Sequence, residues 1–175
     1  DIATGGSGNI TITADTIAIV DNTGNNALSS TGALILQPDT VGQTMALSGG
    51  WGDRRQADTE TPYPADGFSS ITIGRTNGTG ALAIGSTTFT DPVTIQSGAG
   101  GAITVSGDLT AGSGNAITLD AGSSSFTQND VDIATGGSGN ITITADTIAI
   151  VDNTGNNALS STGALILQPD TVDQT

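Results

Sequence analysis

The sequence predicts an all-β protein folded as a parallel β-helix, a solenoid in which each coil takes about 22–24 residues. Three features of the chain predict this fold class. One long segment occurs twice, short apolar-x-apolar segments recur at a nearly constant spacing, and the composition supplies few large side chains for a broad core. Each feature is typical of a chain that stacks similar coils along one axis.

The repeated segment indicates how the chain is organised. Residues 1–41 recur without change as residues 132–172, so the two copies lie 132 − 1 = 131 positions apart. We therefore interpret residues 1–131 as one complete repeat and residues 132–175 as the first third of the next, near-identical repeat. Because each coil of a solenoid is covered by its neighbour, we expect neighbouring repeats to stack end to end.

A column of apolar residues marks one strand in every coil. Each member is followed two positions later by a second apolar residue, as expected of a strand with one face inward. The members are Ile10, Leu34, Ile71, Val93, Ile117, Ile141 and Leu165, and their spacings are 24, 37, 22, 24, 24 and 24 residues. The first five members fall within residues 1–131, which predicts five coils per repeat.

A second column predicts another strand in each coil. Its members are Ile17, Met45, Leu82, Ile103, Val131 and Ile148. Gly, Asn, Asp and Ser between the columns favour tight corners that turn the chain rather than reverse it, so the coils should pair in parallel. The outward residue within the first column is mostly threonine: Thr11, Ile35, Thr72, Thr94, Thr118, Thr142 and Ile166. We call this set the threonine rank.

Composition and charge exclude several classes of partner. Sixteen Asp and one Glu oppose three Arg, giving a net charge of −14, and the chain contains no Lys, His or Cys. Nucleic acid is not an expected partner, because a phosphate backbone is bound through clustered cations. Anionic membrane surfaces are disfavoured for the same reason, and no apolar run approaches the ~20 residues that direct membrane insertion requires. The lack of Cys is compatible with bacterial export.

One segment does not fit the coil spacing. The spacing of 37 residues between Leu34 and Ile71 exceeds a 24-residue coil by 13, and the surplus lies within residues 49–68. Pro62 and Pro64 in this segment cannot donate to a strand ladder. We therefore expect residues 49–68 to protrude as a loop between two coils, and we call them the excursion.

The excursion carries the candidate ligand-binding residues Trp51, Arg54, Arg55 and Tyr63. The two aromatic side chains are suited to stacking on a sugar ring or a partner side chain, and the two arginines to pairing with a carboxylate. In the alternative interpretation, Trp51 and Phe68 pin the excursion to the rod and the arginines pair with nearby acidic residues.

Three motifs carry a resemblance to a known family. The stretches "LQPDT", "ITIGRTNGTG" and "FTDPVTIQ" resemble the tandem repeats of large filamentous haemagglutinin-like bacterial adhesins of the two-partner-secretion type, and the resemblance covers essentially the whole chain. It implies a right-handed parallel β-helix and an exported, secreted or surface-exposed rod for attachment. The near-identical copies and the excursion depart from the family pattern, so the resemblance implies no particular receptor.

These features predict a structural and adhesive repeat module of a giant secreted or surface-exposed bacterial protein, with cell-surface glycan or protein as partner. The alternative is a polysaccharide-acting or calcium-binding β-helix.

We expect no enzymatic activity, because the usual nucleophile and base pairings need His, Cys or Lys. We expect no cofactor, although calcium stays open because six Asp lie in turns rich in Gly and Asn. These are Asp15, Asp21, Asp39, Asp120, Asp146 and Asp152. Against calcium, Ile10 occupies the position where the calcium-binding nonapeptide needs Asp.

The strand columns generate a stability prediction. Ile95 and Leu119 are the second inward residues of two central coils, so Ile95→Ala or Leu119→Ala should lower the free energy of unfolding by about 2–5 kcal/mol. Urea denaturation followed by circular dichroism measures this loss. Thr94→Ala, on the outward face beside Ile95, is the control and should cost far less; equal losses would contradict the assignment of faces.

Overall fold

The chain folds as an all-β parallel β-solenoid of about six turns, with about 24 residues per turn. In this computed structural model, the described residues are 2–17, 28–47, 66–112, 114–153, 155 and 158–171. Within these ranges there is no helix. The fold class predicted from the sequence is therefore confirmed.

Short parallel strands make up each turn of the solenoid. In chain order they are β1 (Ile2–Ala3), β2 (Ile10–Thr13), β3 (Leu28–Ser29), β4 (Ala33–Gln37), β5 (Met45–Leu47), β6 (Ser70–Arg75), β7 (Leu82–Ile84), β8 (Thr87–Phe89), β9 (Val93–Ser97), β10 (Ile103–Val105), β11 (Leu109–Ala111), β12 (Ile117–Asp120), β13 (Ser125–Asn129), β14 (Ile133–Thr135), β15 (Ile141–Thr144), β16 (Thr147–Val151), β17 (Leu159–Ser160) and β18 (Leu165–Gln168).

The longest sheet confirms the first apolar column in full. Its strand order is β18-β15-β12-β9-β6-β4-β2, and every neighbouring pair is parallel. The column residues are in register from Ile10 in the first strand to Leu165 in the last. The paired backbone places like residues above one another at the usual strand spacing of about 4.8 Å. We call this sheet the long sheet.

The second sheet, β16-β13-β10-β7-β5, corrects one member of the second column. Phe126, not Val131, pairs with Ile103 on one side and with Ile148 on the other. Val131 lies beyond β13, after a corner at Asp130, which has a left-handed φ of 53°. The prediction was wrong because β13 begins earlier than the spacing suggests and places a polar residue, Gln128, inward.

The hydrogen bonds of Gln128 explain how this polar side chain is accommodated in the core. It is fully buried, and it pairs in register with Val105. Its amide nitrogen donates to the carbonyl oxygen of Val131, and its amide oxygen accepts the backbone N–H of Val151 at 2.8 Å. Both ends of the amide are therefore satisfied, which removes most of the cost of burying it.

A third sheet was not predicted. Its order is β17-β14-β11-β8, so complete coils contain three strands where the sequence indicated two. At the N-terminal end, β1 and β3 pair with the register that their copies β14 and β17 use in the second repeat. These strands have only two or three residues, and one of the two inward residues of β8 is the polar Thr87, so no long apolar alternation marks them.

The core is a continuous apolar column between the three sheets. Most of its members are Ile, Leu and Val, with Phe89 and Phe126 as the two largest fully buried side chains. The large Phe89 is accommodated by smaller residues above it: Phe89 is in register with Ala111, which is in register with Thr135. A thin core of this kind needs few aromatic residues, in agreement with the composition.

Close packing of the coils explains a glycine in the motif "ITIGRTNGTG". Gly74 has a φ of +92°, and a Cβ at this position would overlap the carbonyl oxygen of Gln96 in the next coil. Only glycine combines this backbone conformation with so close an approach.

Most of the excursion, residues 49–65, lies outside the described residues. Its last residues are described, and Phe68 is buried in the core. The part of the alternative interpretation that concerns Phe68 is therefore confirmed, since this side chain pins the end of the excursion to the rod.

Thr87 provides a test of core packing. It is 5% exposed, and its hydroxyl oxygen has no hydrogen-bond partner. Thr87→Val keeps the side-chain shape and removes the unsatisfied hydroxyl, so it should stabilise the fold by about 1 kcal/mol in urea denaturation. The control is Thr88→Val, because the exposed Thr88 hydroxyl is paired with that of Thr110 at 2.7 Å. A gain no larger than that of the control would show that Thr87 is satisfied in solution.

Candidate functional site

The four sequence-predicted binding residues, Trp51, Arg54, Arg55 and Tyr63, lie outside the described residues. The binding loop therefore stays a prediction. The described residues show how the chain enters the rod after this loop, how the corners are fixed, and which surfaces the coils present.

Asp91 anchors the point where the excursion returns to the rod. Its carboxylate is 5% exposed and accepts the backbone N–H groups of Gly67 at 3.1 Å and Phe68 at 3.2 Å. Burial raises the pKa of Asp91, the two N–H donors oppose this shift, and the nearby Asp66 carboxyl adds to the rise. The geometry holds residues 67 and 68 in place at the start of β6, so the loop ends at a rigid position. This role of Asp91 was not predicted from the sequence, although an Asp between Phe89 and Pro92, just before a strand, is a recognisable signal of a carboxylate that accepts backbone N–H groups.

A second anchor occurs in both copies of the repeat. Asp15 accepts the backbone N–H and the hydroxyl of Thr40, each at 2.7 Å. In the second copy, Asp146 accepts the same two groups of Thr171, at 3.0 Å for the N–H and 2.6 Å for the hydroxyl. The N–H and then the hydroxyl of Thr40 lower the pKa of Asp15, whereas the hydroxyl of Thr171 is the larger cause of the lowered pKa of Asp146. Each carboxylate therefore ties the "PDT" corner to the preceding coil.

Arg75 adds a third contact to that corner in the first copy. Its Nη1 donates to the carbonyl oxygens of Pro38 at 3.0 Å and Asp39 at 2.7 Å, and its Nε donates to Asn77 at 2.9 Å. The guanidinium thus joins the coil that contains β6 to the coil beneath it. In the second copy, the described residues place no strand over the equivalent corner at residues 169–171.

The Asp residues of the corners act mainly as acceptors for backbone N–H groups. Asp108 accepts from Asp132, Asp120 from Gly122, and Asp152 from Gly155, at 2.8–3.1 Å. Among the described residues, no group of three or more His, Cys, Asp or Glu side chains is placed to hold a metal ion. The arrangement of these described carboxylates is that of structural corners.

The C-terminal end of the described chain presents an apolar surface. We define the end face as β17, β18 and the corner at residues 169–171. Leu165 and Leu167 of β18 are 51% and 46% exposed, whereas the identical residues Leu34 and Leu36 of the first copy are 0% and 4% exposed. An open groove of about 370 Å³ adjoins this face and is lined in part by Ile148, Ile150 and Pro169.

The outer surface of the long sheet is mostly uncharged. The threonine rank runs along it, in register in all seven strands. Beside the rank, Gln37 donates to Thr13 and Gln168 donates to Thr144, each at 3.0 Å, so the two copies present the same polar pair.

No protein-family model matches the chain, and no curated protein or solved structure matches it significantly. The structure defines the chain as a parallel β-solenoid of about six turns, and the likeness to haemagglutinin-like adhesins rests on the sequence motifs alone. Among the described residues, no helix is long and apolar enough to cross a membrane.

The lowered pKa of Asp15 generates a pH prediction. A carboxylate whose pKa is depressed by folding stabilises the folded chain above its unfolded pKa of about 3.9, and this contribution disappears as the pH falls through the folded pKa. The melting temperature of Asp15→Asn should therefore be below that of the parent at pH 7, and the difference should shrink below about pH 4. Asp132→Asn removes an equal charge and controls for relief of charge repulsion. A difference between Asp15→Asn and the parent that persists unchanged at low pH would contradict this role of Asp15.

Proposed function

We propose that the chain is a structural and adhesive repeat module of a giant bacterial protein that is secreted or exposed at the cell surface. In this proposal the repeats form an elongated rod, and the rod serves cell attachment or cell–cell contact. Neighbouring repeats of the same chain are its first partners, and a cell-surface glycan or protein is the second.

The joint between the two copies is the observation that carries the proposal. Strand β11 pairs with β14, β12 with β15, and β13 with β16, all in parallel and without a break in register. The last coil of residues 1–131 thus stacks on the first coil of the second copy as any two neighbouring coils do. A unit whose end fits its own beginning is suited to extension by repetition.

The distribution of charge supports a role outside the cell or at its surface. The net charge of −14 is carried largely by Asp, and the described Asp residues lie mainly at corners, while the outer face of the long sheet is mostly uncharged. Mutual repulsion between acidic rods keeps them dispersed. Attachment then has to come from particular surfaces, and the excursion, which occurs once per repeat, is the segment richest in aromatic and cationic residues.

The described residues contribute no specific observation in favour of the polysaccharide-acting or calcium-binding alternative. Their carboxylates are engaged in corner and anchor contacts, as described above for Asp15, Asp91 and Asp146.

The rod has a length that can be measured. With five coils per repeat at the strand spacing of about 4.8 Å, each added repeat should lengthen the particle by roughly 24 Å. Chains of two, four and eight repeats, imaged by negative-stain electron microscopy, provide the series. Particles whose diameter grows while their length stays constant would contradict an end-to-end solenoid.

The adhesive role has a separate test. Trp51→Ala combined with Arg54→Ala in every repeat should leave the circular dichroism spectrum unchanged and abolish attachment of an eight-repeat chain to cells or immobilised glycans. Attachment of the parent chain should become stronger as the number of repeats increases, because weak contacts add through avidity. Thr94→Ala and Thr118→Ala, in the threonine rank, form the matched control. If the control loses attachment and the excursion variant keeps it, the rank is the binding surface instead.

A further inference from the structure

Two dipeptides in the chain are chemically reactive. Asp66–Gly67 is the single Asp–Gly pair in the sequence, and Asn77–Gly78 is the single Asn–Gly pair. In both pairs the glycine nitrogen can attack the side-chain carbonyl carbon of the residue before it and close a cyclic succinimide. Glycine favours this ring closure because it has no side chain to crowd the attacking nitrogen. The structure places the two glycine nitrogens in different surroundings.

The N–H group of Gly67 points at a carboxylate. It donates to Asp91 Oδ1 at 3.1 Å, while Asp91 Oδ2 accepts the N–H of Phe68 at 3.2 Å. Because Phe68 and Asp91 are both buried, this second bond holds the carboxylate in one orientation. A base within hydrogen-bond distance of the proton that it must remove meets the geometric requirement for general base catalysis.

Asp66 brings a second carboxyl group to the same place. Burial is the largest cause of the raised pKa of Asp91, and charge repulsion from Asp66 and a hydrogen bond between the two carboxyl groups add to the rise. Ionised carboxylates only accept hydrogen bonds, so this hydrogen bond requires a proton. A protonated Asp66 has a hydroxyl group that can leave as water, and an ionised Asp91 with a raised pKa is the stronger base for it.

Space and solvent are available at the Asp66–Gly67 bond. Both residues are exposed, and a Cβ at Gly67 would meet no atom within 4 Å. Gly67 has a φ of +119°, a conformation that favours glycine over residues with a side chain. The attacking nitrogen is therefore unhindered, and water can reach the product.

The Asn77–Gly78 pair lacks this arrangement. The N–H of Gly78 donates to the carbonyl oxygen of Arg75 at 3.1 Å, and a carbonyl oxygen is too weak a base to remove an amide proton. Asn77 Oδ1 accepts Arg75 Nε at 2.9 Å, which restrains the side chain. A Cβ at Gly78 would lie 3.2 Å from Ser97 Oγ, so this turn is also more crowded. The fold should protect Asn77 from the reaction.

We propose that the Asp66–Gly67 bond is a self-modification site, at which the folded chain converts Asp66 to isoaspartate with Asp91 as the general base. This inference goes beyond the proposed function and does not depend on it, because the chemistry needs only the folded corner.

The reaction has two steps. In the first step, the Gly67 nitrogen bonds to Cγ of Asp66 while Asp91 Oδ1 takes the proton from that nitrogen. The Cγ–OH bond of the protonated Asp66 breaks, and the proton on Asp91 passes to the departing hydroxyl, which leaves as water. In the second step, solvent water opens the succinimide. Opening at the main-chain carbonyl gives isoaspartate, and opening at the side-chain carbonyl restores aspartate.

The product differs from the parent in its main chain. Isoaspartate at position 66 adds a carbon to the backbone before Gly67 and leaves a carboxylate attached directly to Cα. Because Asp91 and the buried Phe68 fix the chain on the rod side, the added length falls on the side of the excursion. The modification therefore changes the link through which the excursion joins the rod.

The test compares the intact 175-residue chain with a synthetic peptide of residues 60–84, both incubated at neutral pH in heavy-oxygen water. Trypsin, which cleaves after Arg55 and Arg75, isolates Asp66 in one fragment. Electron-transfer fragmentation measures its isoaspartate, and each succinimide opening adds a heavy oxygen atom. Asp66 should isomerise at least about tenfold faster in the folded chain than in the peptide, as a positioned base allows. Deamidation of Asn77, followed by mass, should be slower in the folded chain than in the peptide.

Substitutions identify the base. Asp91→Asn keeps the side-chain shape and should lower isomerisation of Asp66 to the peptide rate or below. Slow deamidation of Asn77 in the same sample reports that the neighbouring turn is still folded. Asp108→Asn is the matched control, because Asp108 accepts the N–H of Asp132 at 3.1 Å at another corner, and it should leave the rate unchanged. Asp66→Glu should take up no label at this position, because its ring closes far more slowly.

Two results would overturn the proposal. The first is an intact chain that isomerises Asp66 no faster than the peptide does, and this result counts whether or not Asp91→Asn folds. The second is a folded Asp91→Asn chain that isomerises Asp66 at the parent rate. In that case the contacts of Asp91 with Gly67 and Phe68 would serve as an anchor only.

Discussion

The parallel backbone ladder between successive coils is the constraint on which the rest of this structure depends. Once Leu34 is set opposite Ile10 on one side and Ile71 on the other, the period of two along a strand decides which side chains face inward throughout the long sheet. The corners then have to return the chain after about 24 residues, and the anchors at Asp15, Asp146 and Arg75 are solutions to that requirement. The thin core follows too, because three narrow sheets enclose little volume.

The long sheet was predictable from the sequence because two inward residues of each strand, the column residue and the one two positions later, are aliphatic and because the spacing of the column is nearly constant. The other two sheets were harder for physical reasons. In β13 a buried Gln128 replaces an aliphatic residue and is satisfied only by partners that the fold itself brings near. In β8 one of the two inward residues is the polar Thr87, and strands of two or three residues carry too little alternation to stand out. These positions depend on tertiary contacts that the local pattern does not contain.

The candidate site, like the fold, was predictable only in part from the sequence. Composition singles out Trp51, Arg54, Arg55 and Tyr63, because aromatic and cationic residues are rare elsewhere in the chain. The anchoring role of Asp91 was not predicted, since it arises from burial beside the N–H groups of Gly67 and Phe68. These two hydrogen bonds fix Gly67 and Phe68 at the point where the excursion returns to the solenoid.

The equal register in the two copies also determines what happens to the coil contacts when a repeat is added or removed. Residues 1–41 and 132–172 are identical, so removing or inserting a unit of 131 residues regenerates the same joint, with β14, β15 and β16 on β11, β12 and β13. No contact between coils is altered by such an event. Each coil would keep its neighbours after such a change, and the length of the solenoid would change in whole steps of one repeat.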